Sequence, residues 1–130
     1  YDITKWTDTD KKLAAEKIAK YKEIRSLVQF GTLYRLVSPF KENRSALQYV
    51  ADDHSSAVLF CYNMAEYLKG SIPQTQDANV LKLRGLDPDA SYKIPQLNNQ
   101  VYKGDFLMKV GIAWPVKGTY KSMILQAQRE

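Results

Sequence analysis

His54, the one histidine, stands in Asp52-Asp53-His54-Ser55-Ser56, where acids, an imidazole and hydroxyls share five consecutive positions. These are the residue types of a nucleophile–base–orienter relay, in which imidazole takes a hydroxyl proton and a carboxylate fixes the imidazole tautomer. The spacing argues against that chemistry. Relay members come from separate elements that meet in space, whereas consecutive Asp, His and Ser are turn formers that bond their own backbone. A hairpin turn is the expectation at His54. Cys61, the one cysteine, lies in Val58-Leu59-Phe60-Cys61-Tyr62. A thiolate nucleophile needs a basic neighbour, and an apolar strand instead predicts a small packed side chain. The fourteen carboxylates fall mainly in turns, at a helix start and on a helix surface. None is placed to face another across a cleft, so no catalytic residue is expected in this segment.

Aromatic side chains are the enriched class, with nine Tyr, four Phe and two Trp in 130 residues. Tyr34, Tyr49, Tyr62, Tyr92 and Tyr102 lie in or beside alternating segments and are expected to pack. Trp114, beside Pro115 near a turn, is the candidate for an exposed platform of the kind on which carbohydrate rings stack. Other chemistry is narrowed by composition. One Cys and one His leave no intrachain disulfide, no cysteine-rich zinc site and no histidine-rich metal centre, and no cofactor is expected. The net charge of +5 suggests a nucleic-acid partner, but seven cations oppose five anions in residues 1–31 and twelve oppose nine in 32–130. The longest basic run is Lys11-Lys12. Counterion release needs clustered cations, so the excess reads as solvated surface and no nucleic acid is expected. No apolar run approaches the ~18–20 residues of a membrane span, and no membrane partner is expected.

The elements that must position these groups follow from hydrophobic period. From about Leu13 to Val28, Ala14, Ile18, Tyr21, Ile24 or Arg25, and Val28 recur at helical spacing, with Leu13 and Leu27 widening the apolar face. Thr7 and Asp10 have the form of a capping box, Glu16 and Lys20 form an i,i+4 pair, and Gly31 is placed to end the helix in a left-handed conformation. The period then changes. Candidate strands are 32–38, 46–51, 56–65, 79–84, 91–97, 105–110, 112–116 and 120–128, the last also readable as a short helix. Gly70 to Asn79 reads as a loop, and Pro, Gly, Asp and Asn clusters separate the other segments. About eight short strands with no helical pattern between them predict an all-β fold, an antiparallel β-sandwich preceded by one N-terminal α-helix. Within Gly85-Leu86-Asp87-Pro88-Asp89-Ala90-Ser91-Tyr92, a Tyr six residues after a Leu resembles the tyrosine corner of fibronectin-type sandwiches.

Several of these pieces, in order, carry a wider resemblance: Tyr21-Lys22-Glu23-Ile24-Arg25, Val28-Gln29-Phe30-Gly31-Thr32-Leu33-Tyr34-Arg35-Leu36, Ser38-Pro39 and Gln48-Tyr49-Val50. They continue through Ala57-Val58-Leu59-Phe60, Leu83-Arg84-Gly85-Leu86-Asp87-Pro88 with Tyr92, and Gly104-Asp105-Phe106-Leu107-Met108 with Gly111. The set resembles the C-terminal end of the family 36 glycoside hydrolases, the microbial α-galactosidases. The resemblance implies that residues 1–31 correspond to the last helix of a (β/α)8 barrel and residues 32–130 to the C-terminal sandwich. It also implies a larger enzyme, cut before Tyr1, that hydrolyses terminal α-galactosides such as melibiose and raffinose by a retaining mechanism. Its two catalytic aspartates would lie upstream. Lys5-Trp6-Thr7-Asp8 is similar to that family's K-W-D nucleophile motif, but Thr7 intervenes and a helix follows, so no catalytic role is carried over. The expected role is non-catalytic: support of the intramolecular barrel, with homo-oligomer assembly as a further expectation. The alternative is a carbohydrate-binding or fibronectin-like interaction module. The compartment of the larger protein, cytoplasm or periplasm, is left open.

Overall fold

The long helix opens on a reciprocal cap. In the computed structural model, which describes residues 2–41, 43–64 and 79–130, helix α1 spans Asp8–Phe30. The Asp10 backbone N–H donates to the Thr7 hydroxyl at 3.1 Å, and the Asp10 carboxylate accepts from the Thr7 backbone N–H at 3.1 Å. Two helix-terminal donors are thereby satisfied together. Hydrogen bonds from Thr7, its hydroxyl's first, hold the Asp10 carboxyl below its ordinary 3.8. A depressed pKa makes the cap fully effective above the unfolded value, and its contribution is lost as pH falls through the folded one. Thr7→Ala is expected to fray the first turn at a cost of about 1 kcal/mol, read as lost helical circular dichroism.

The helix ends otherwise than the sequence predicts. Gly31 is extended, at φ −75° and ψ 162°, not left-handed. Proximity is what requires glycine: an added Cβ would stand 2.5 Å from the Leu27 carbonyl oxygen and 2.8 Å from that of Val50. Lys20 also pairs differently, with Glu23 at 2.9 Å rather than with Glu16, and it bonds the Gln126 side chain.

The strands are β1 (Thr32–Val37), β2 (Arg44–Val50), β3 (Ser56–Asn63), β4 (Val80–Leu81), β5 (Ser91–Ile94), β6 (Gln100–Lys103), β7 (Ile112–Ala113) and β8 (Ser122–Arg129). Six form one antiparallel sheet in the order β1-β2-β3-β8-β5-β6, and β4 pairs with β7 in a second. The fold is the all-β sandwich with an N-terminal helix that the periodicity predicts. The inner face of the large sheet presents Ala46, Gln48 and Val50 beside Ala57, Leu59 and Cys61, with Leu125 and Ala127 on the next strand. Leu81, Leu83, Leu86, Leu107 and Ile112 from the opposing layer join the same core.

Five segments differ from expectation, one of them Gln100–Lys103, where strand β6 pairs with β5 although no strand is predicted there. Residues 105–110 do not form a strand. They lie in a short helix, α2 (Gly104–Lys109), which buries Leu107, leaves Phe106 exposed and pairs Lys109 with Asp105 at 2.7 Å. In 79–84 only Val80–Leu81 pair with a strand. Beyond them the Leu83 N–H bonds the Leu107 carbonyl and Arg84 bonds a side chain, so the ladder's partners come from elsewhere. In 112–116 pairing ends at Ala113, and Pro115 has no N–H to extend it. Residues 91–97 are strand only to Ile94, because Pro95 opens a 3₁₀ turn over Pro95–Leu97. The last segment is strand, not helix. Strand β3 ends at Asn63; Ala65 and most of the stretch expected as a loop, 70–78, lie outside the described residues.

The outer face of the large sheet is half covered. Val58 points there and is fully buried, and Ile24 of α1, also buried, packs across β3 and β2.

Candidate functional site

Three constellations singled out above can now be placed. The first is the β2–β3 turn. The His54 N–H bonds the Ala51 carbonyl at 2.9 Å, His54 takes φ +57°, and the Asp53 carboxylate accepts from the Ser55 N–H at 3.0 Å. Hydrogen bonds from Ser55, the hydroxyl's ahead of the backbone's, lower the Asp53 pKa from 3.8. The imidazole Nδ1 lies 2.6 Å from the Gly85 carbonyl oxygen. A carbonyl only accepts, so Nδ1 carries the proton. In a relay that nitrogen would face a carboxylate, and here it straps a turn to a loop.

Tyr92 completes the strap. Its fully buried ring brings the hydroxyl to the His54 carbonyl, to which it donates at 2.7 Å, while it accepts from the Asp87 N–H at 3.0 Å. The hydroxyl does bond back to its own upstream turn, as a tyrosine corner does. Its second bond ties that turn to the far end of the β2–β3 hairpin.

The second constellation surrounds Trp114. The ring does not stand out as an exposed platform: it is half-buried against the core, with the Arg44 guanidinium 4.5 Å from its centroid. Its Nε1–H donates to Asn63 Oδ1 at 2.8 Å, and Asn63 Nδ2 donates to the carbonyls of Val116 at 3.1 Å and Gly118 at 2.8 Å. Asn63 thus saturates its amide by pinning the 114–118 segment to the end of β3. A flat indole needs an open face to stack on a sugar, and here a cation occupies one face.

The third is Cys61, fully buried on the inner face of β3, where burial pushes its thiol from an ordinary 9.0 to about 12. The neutral thiol is inert near neutrality. Native protein at pH 8 is expected to react with a thiol reagent at least about a hundredfold more slowly than unfolded chain, followed by absorbance of the released chromophore.

A further polar residue, which no motif in the sequence marks, bridges two segments inside the core. Gln48 is fully buried, and its amide donates to the Arg84 carbonyl and accepts from the Arg84 N–H, both at 2.9 Å. A polar residue on the inward register of an otherwise apolar strand was the available signal. Among the described residues no three His, Cys, Asp or Glu side chains gather to hold a metal ion. No helix among them is long and apolar enough to cross a membrane.

The His54–Tyr92, Trp114–Asn63 and Gln48–Arg84 contacts all tie side chains to distant parts of the sandwich. Residues 44–126 match the family described as the glycosyl hydrolase family 36 C-terminal domain. α-Galactosidase AgaA of Geobacillus stearothermophilus is 40% identical over 118 residues, which are 91% of this chain and 15% of that protein. α-Galactosidase Mel36A of Lactobacillus acidophilus is 34% identical over 93% of this chain and 16% of its own length. The crystal structure of α-galactosidase AgaB from Geobacillus stearothermophilus superposes with a TM-score of 0.83 at 40% identity, covering 99% of this chain and 17% of that one. A raffinose complex of AgaA from the same organism superposes with a TM-score of 0.82 at 38% identity, with the same two coverages. The chain therefore spans about one-sixth of the length of the relatives it matches, and it belongs to the C-terminal domain family of the family 36 glycosyl hydrolases.

Proposed function

We propose that this chain is a non-catalytic accessory domain of an α-galactosidase, holding in place a catalytic barrel that lies elsewhere in the same polypeptide. The larger protein would cleave terminal α-galactosides, raffinose among them, by a retaining mechanism. Residues 1–31 would be the last helix of the barrel and residues 32–130 the sandwich that supports it. The observation that carries this reading is α1. Its 23 residues continue far beyond the sandwich, and Leu13, Ile18 and Tyr21 are half or more exposed. A helix with that much bare apolar surface is marginal alone and needs a further body to pack on.

The polar groups favour support over chemistry. His54, Tyr92, Asn63 and Gln48 each make at least one hydrogen bond to a backbone group of a distant segment. Trp114 belongs to the same scheme, as a packing residue and not a sugar contact. Two assays test the reading. The purified 130-residue chain should not hydrolyse a nitrophenyl α-galactoside, and calorimetry should detect no binding of raffinose or melibiose. Turnover by the chain alone would sink the accessory role, and sugar binding abolished by Trp114→Ala would restore the platform.

A further inference from the structure

The large sheet ends on β1 at one side and β6 at the other, and β6 is an open edge. The Gly104 N–H bonds the Ala90 carbonyl at 2.9 Å, in register with the β5–β6 ladder. Antiparallel ladders bond through alternate residues, so the backbone groups of Gln100 and Tyr102 face β5 and those of Val101 face away. Among the described residues no strand takes those outward groups. Neither a proline nor a bulge interrupts Gln100–Lys103, although such devices commonly blunt a sheet edge.

Apolar side chains run along the same edge. Phe106 of α2 stacks on Tyr102, with centroids 5.8 Å apart and rings 10° from parallel. Tyr102 stands opposite Tyr92, which is buried in the core, so this stack lies on the inner side of the sheet, away from α1. Val101 is 47% exposed, Phe106 41% and Val110 55%. Phe106 and Val110 share a shallow groove of about 340 Å³ with Lys103, Lys109, Asp89 and Asp105. The apolar strip is thus rimmed by two cations and two anions. Lys109 and Asp105 bond each other, but both are well exposed, and such a pair exchanges partners at little cost.

We infer that this β6–α2 edge is the contact between two copies of the enzyme, related by a two-fold axis beside Val101. A partner of a single charge sign would meet two like charges on the rim, whereas a two-fold copy offers lysines to aspartates in both directions. A two-fold copy of β6 also runs antiparallel to it. With Val101 opposite the partner subunit's Val101, the outward backbone groups meet and each face of the joined sheet keeps its own side chains. The inference rests on the proposed function for the larger enzyme that pairs, and one experiment separates the two. Sedimentation of the full-length enzyme is compared for wild type, Phe106→Asp, Val101→Lys and Phe40→Asp, with turnover of a nitrophenyl α-galactoside measured on each. Val101→Lys sets two ammonium groups against each other at the axis, and Phe106→Asp puts a carboxylate into the apolar strip while suiting the first turn of α2. Each is expected to raise the dissociation constant about tenfold or more, so that the sedimenting mass halves. Phe40→Asp, in the β1–β2 connection, is expected to keep the wild-type mass. A wild-type enzyme that is monomeric at micromolar concentration overturns the inference and leaves the edge to a different partner. A folded Val101→Lys enzyme of unchanged mass overturns it as well. A wild-type dimer that both edge variants split, but that does not hydrolyse the galactoside, overturns the functional reading and leaves the contact standing.

Discussion

Gln48→Leu should be the most destabilising change of a polar residue in this domain, at about 2–4 kcal/mol. The side chain is fully buried and its amide does for Arg84 what a neighbouring strand would do, taking the N–H and the carbonyl at 2.9 Å each. Leucine fills a similar volume and leaves both backbone groups bare in the interior, and each then costs its full desolvation penalty. Gln48→Glu separates hydrogen bonding from volume. A carboxylate still accepts from the Arg84 N–H but confronts the carbonyl oxygen, so the ionised form is disfavoured and the folded pKa rises. With a raised pKa, the contribution is fully present below the unfolded carboxylate value and is lost as pH rises through the folded one. Urea melts of both variants against pH should therefore show Gln48→Glu approaching wild type in acid, with Gln48→Leu poor throughout. A Gln48→Leu variant within 0.5 kcal/mol of wild type, about the noise of a surface change, would refute the bridging role.

The second large effect belongs to Gly104→Ala. A Cβ at this position would stand 2.0 Å from the Asp87 carbonyl oxygen and 2.9 Å from its carbon, with the Tyr92 ring at 3.2 Å. The contact is with backbone, and that backbone is fixed. The Gly104 N–H bonds the Ala90 carbonyl at 2.9 Å, the Asp105 N–H bonds that of Pro88 at 3.1 Å, and Tyr92 holds the Asp87 N–H. One methyl group must therefore displace the whole 87–92 turn, at about 3 kcal/mol and about 10 °C in Tm. The damage should spread to the hairpin tip, because the Tyr92 hydroxyl also anchors His54. Amide exchange at Ala51 to Ser55 is expected to quicken in this variant even though the substitution lies outside that turn.

Periodicity carried most of the fold. The helix, five of the six strands of the large sheet and the turn at His54 are legible because alternation, capping residues and turn formers are local, whereas β6 lies between turn formers and shows no strand signal of its own. What was not legible depended on partners distant in sequence. Residues 105–110 alternate too weakly to decide between strand and helix, and burial of Leu107 beneath the sandwich decides it. Nothing local shows that Arg84 lies outside the ladder until Gln48 meets it from 36 positions away. Residue type alone predicts a left-handed turn at Gly31, whereas the close passage of the Leu27 and Val50 carbonyls is what excludes a side chain there. Trp114 looked free beside Pro115 because Asn63 and Arg44, which hold its edge and one face, are remote in the chain. The tyrosine-corner pattern implies a Tyr92 bond back to its own turn, which the Asp87 N–H supplies, and the long-range bond to His54 has no sequence signature.

The central claim is that this domain supports an active site and holds none of it. His54 gives the sharpest case, as the one imidazole in the chain and the group most suited to proton transfer. The measurement is kcat and KM of the full-length enzyme on a nitrophenyl α-galactoside, for wild type and His54→Gln, well below the inactivation temperature, together with the rate of thermal inactivation. The expected result is kcat and KM within about twofold of wild type, with faster inactivation as the Gly85 strap is lost. A fall in kcat of about a hundredfold or more in a variant that inactivates no faster than wild type would contradict the account and return His54 to catalysis.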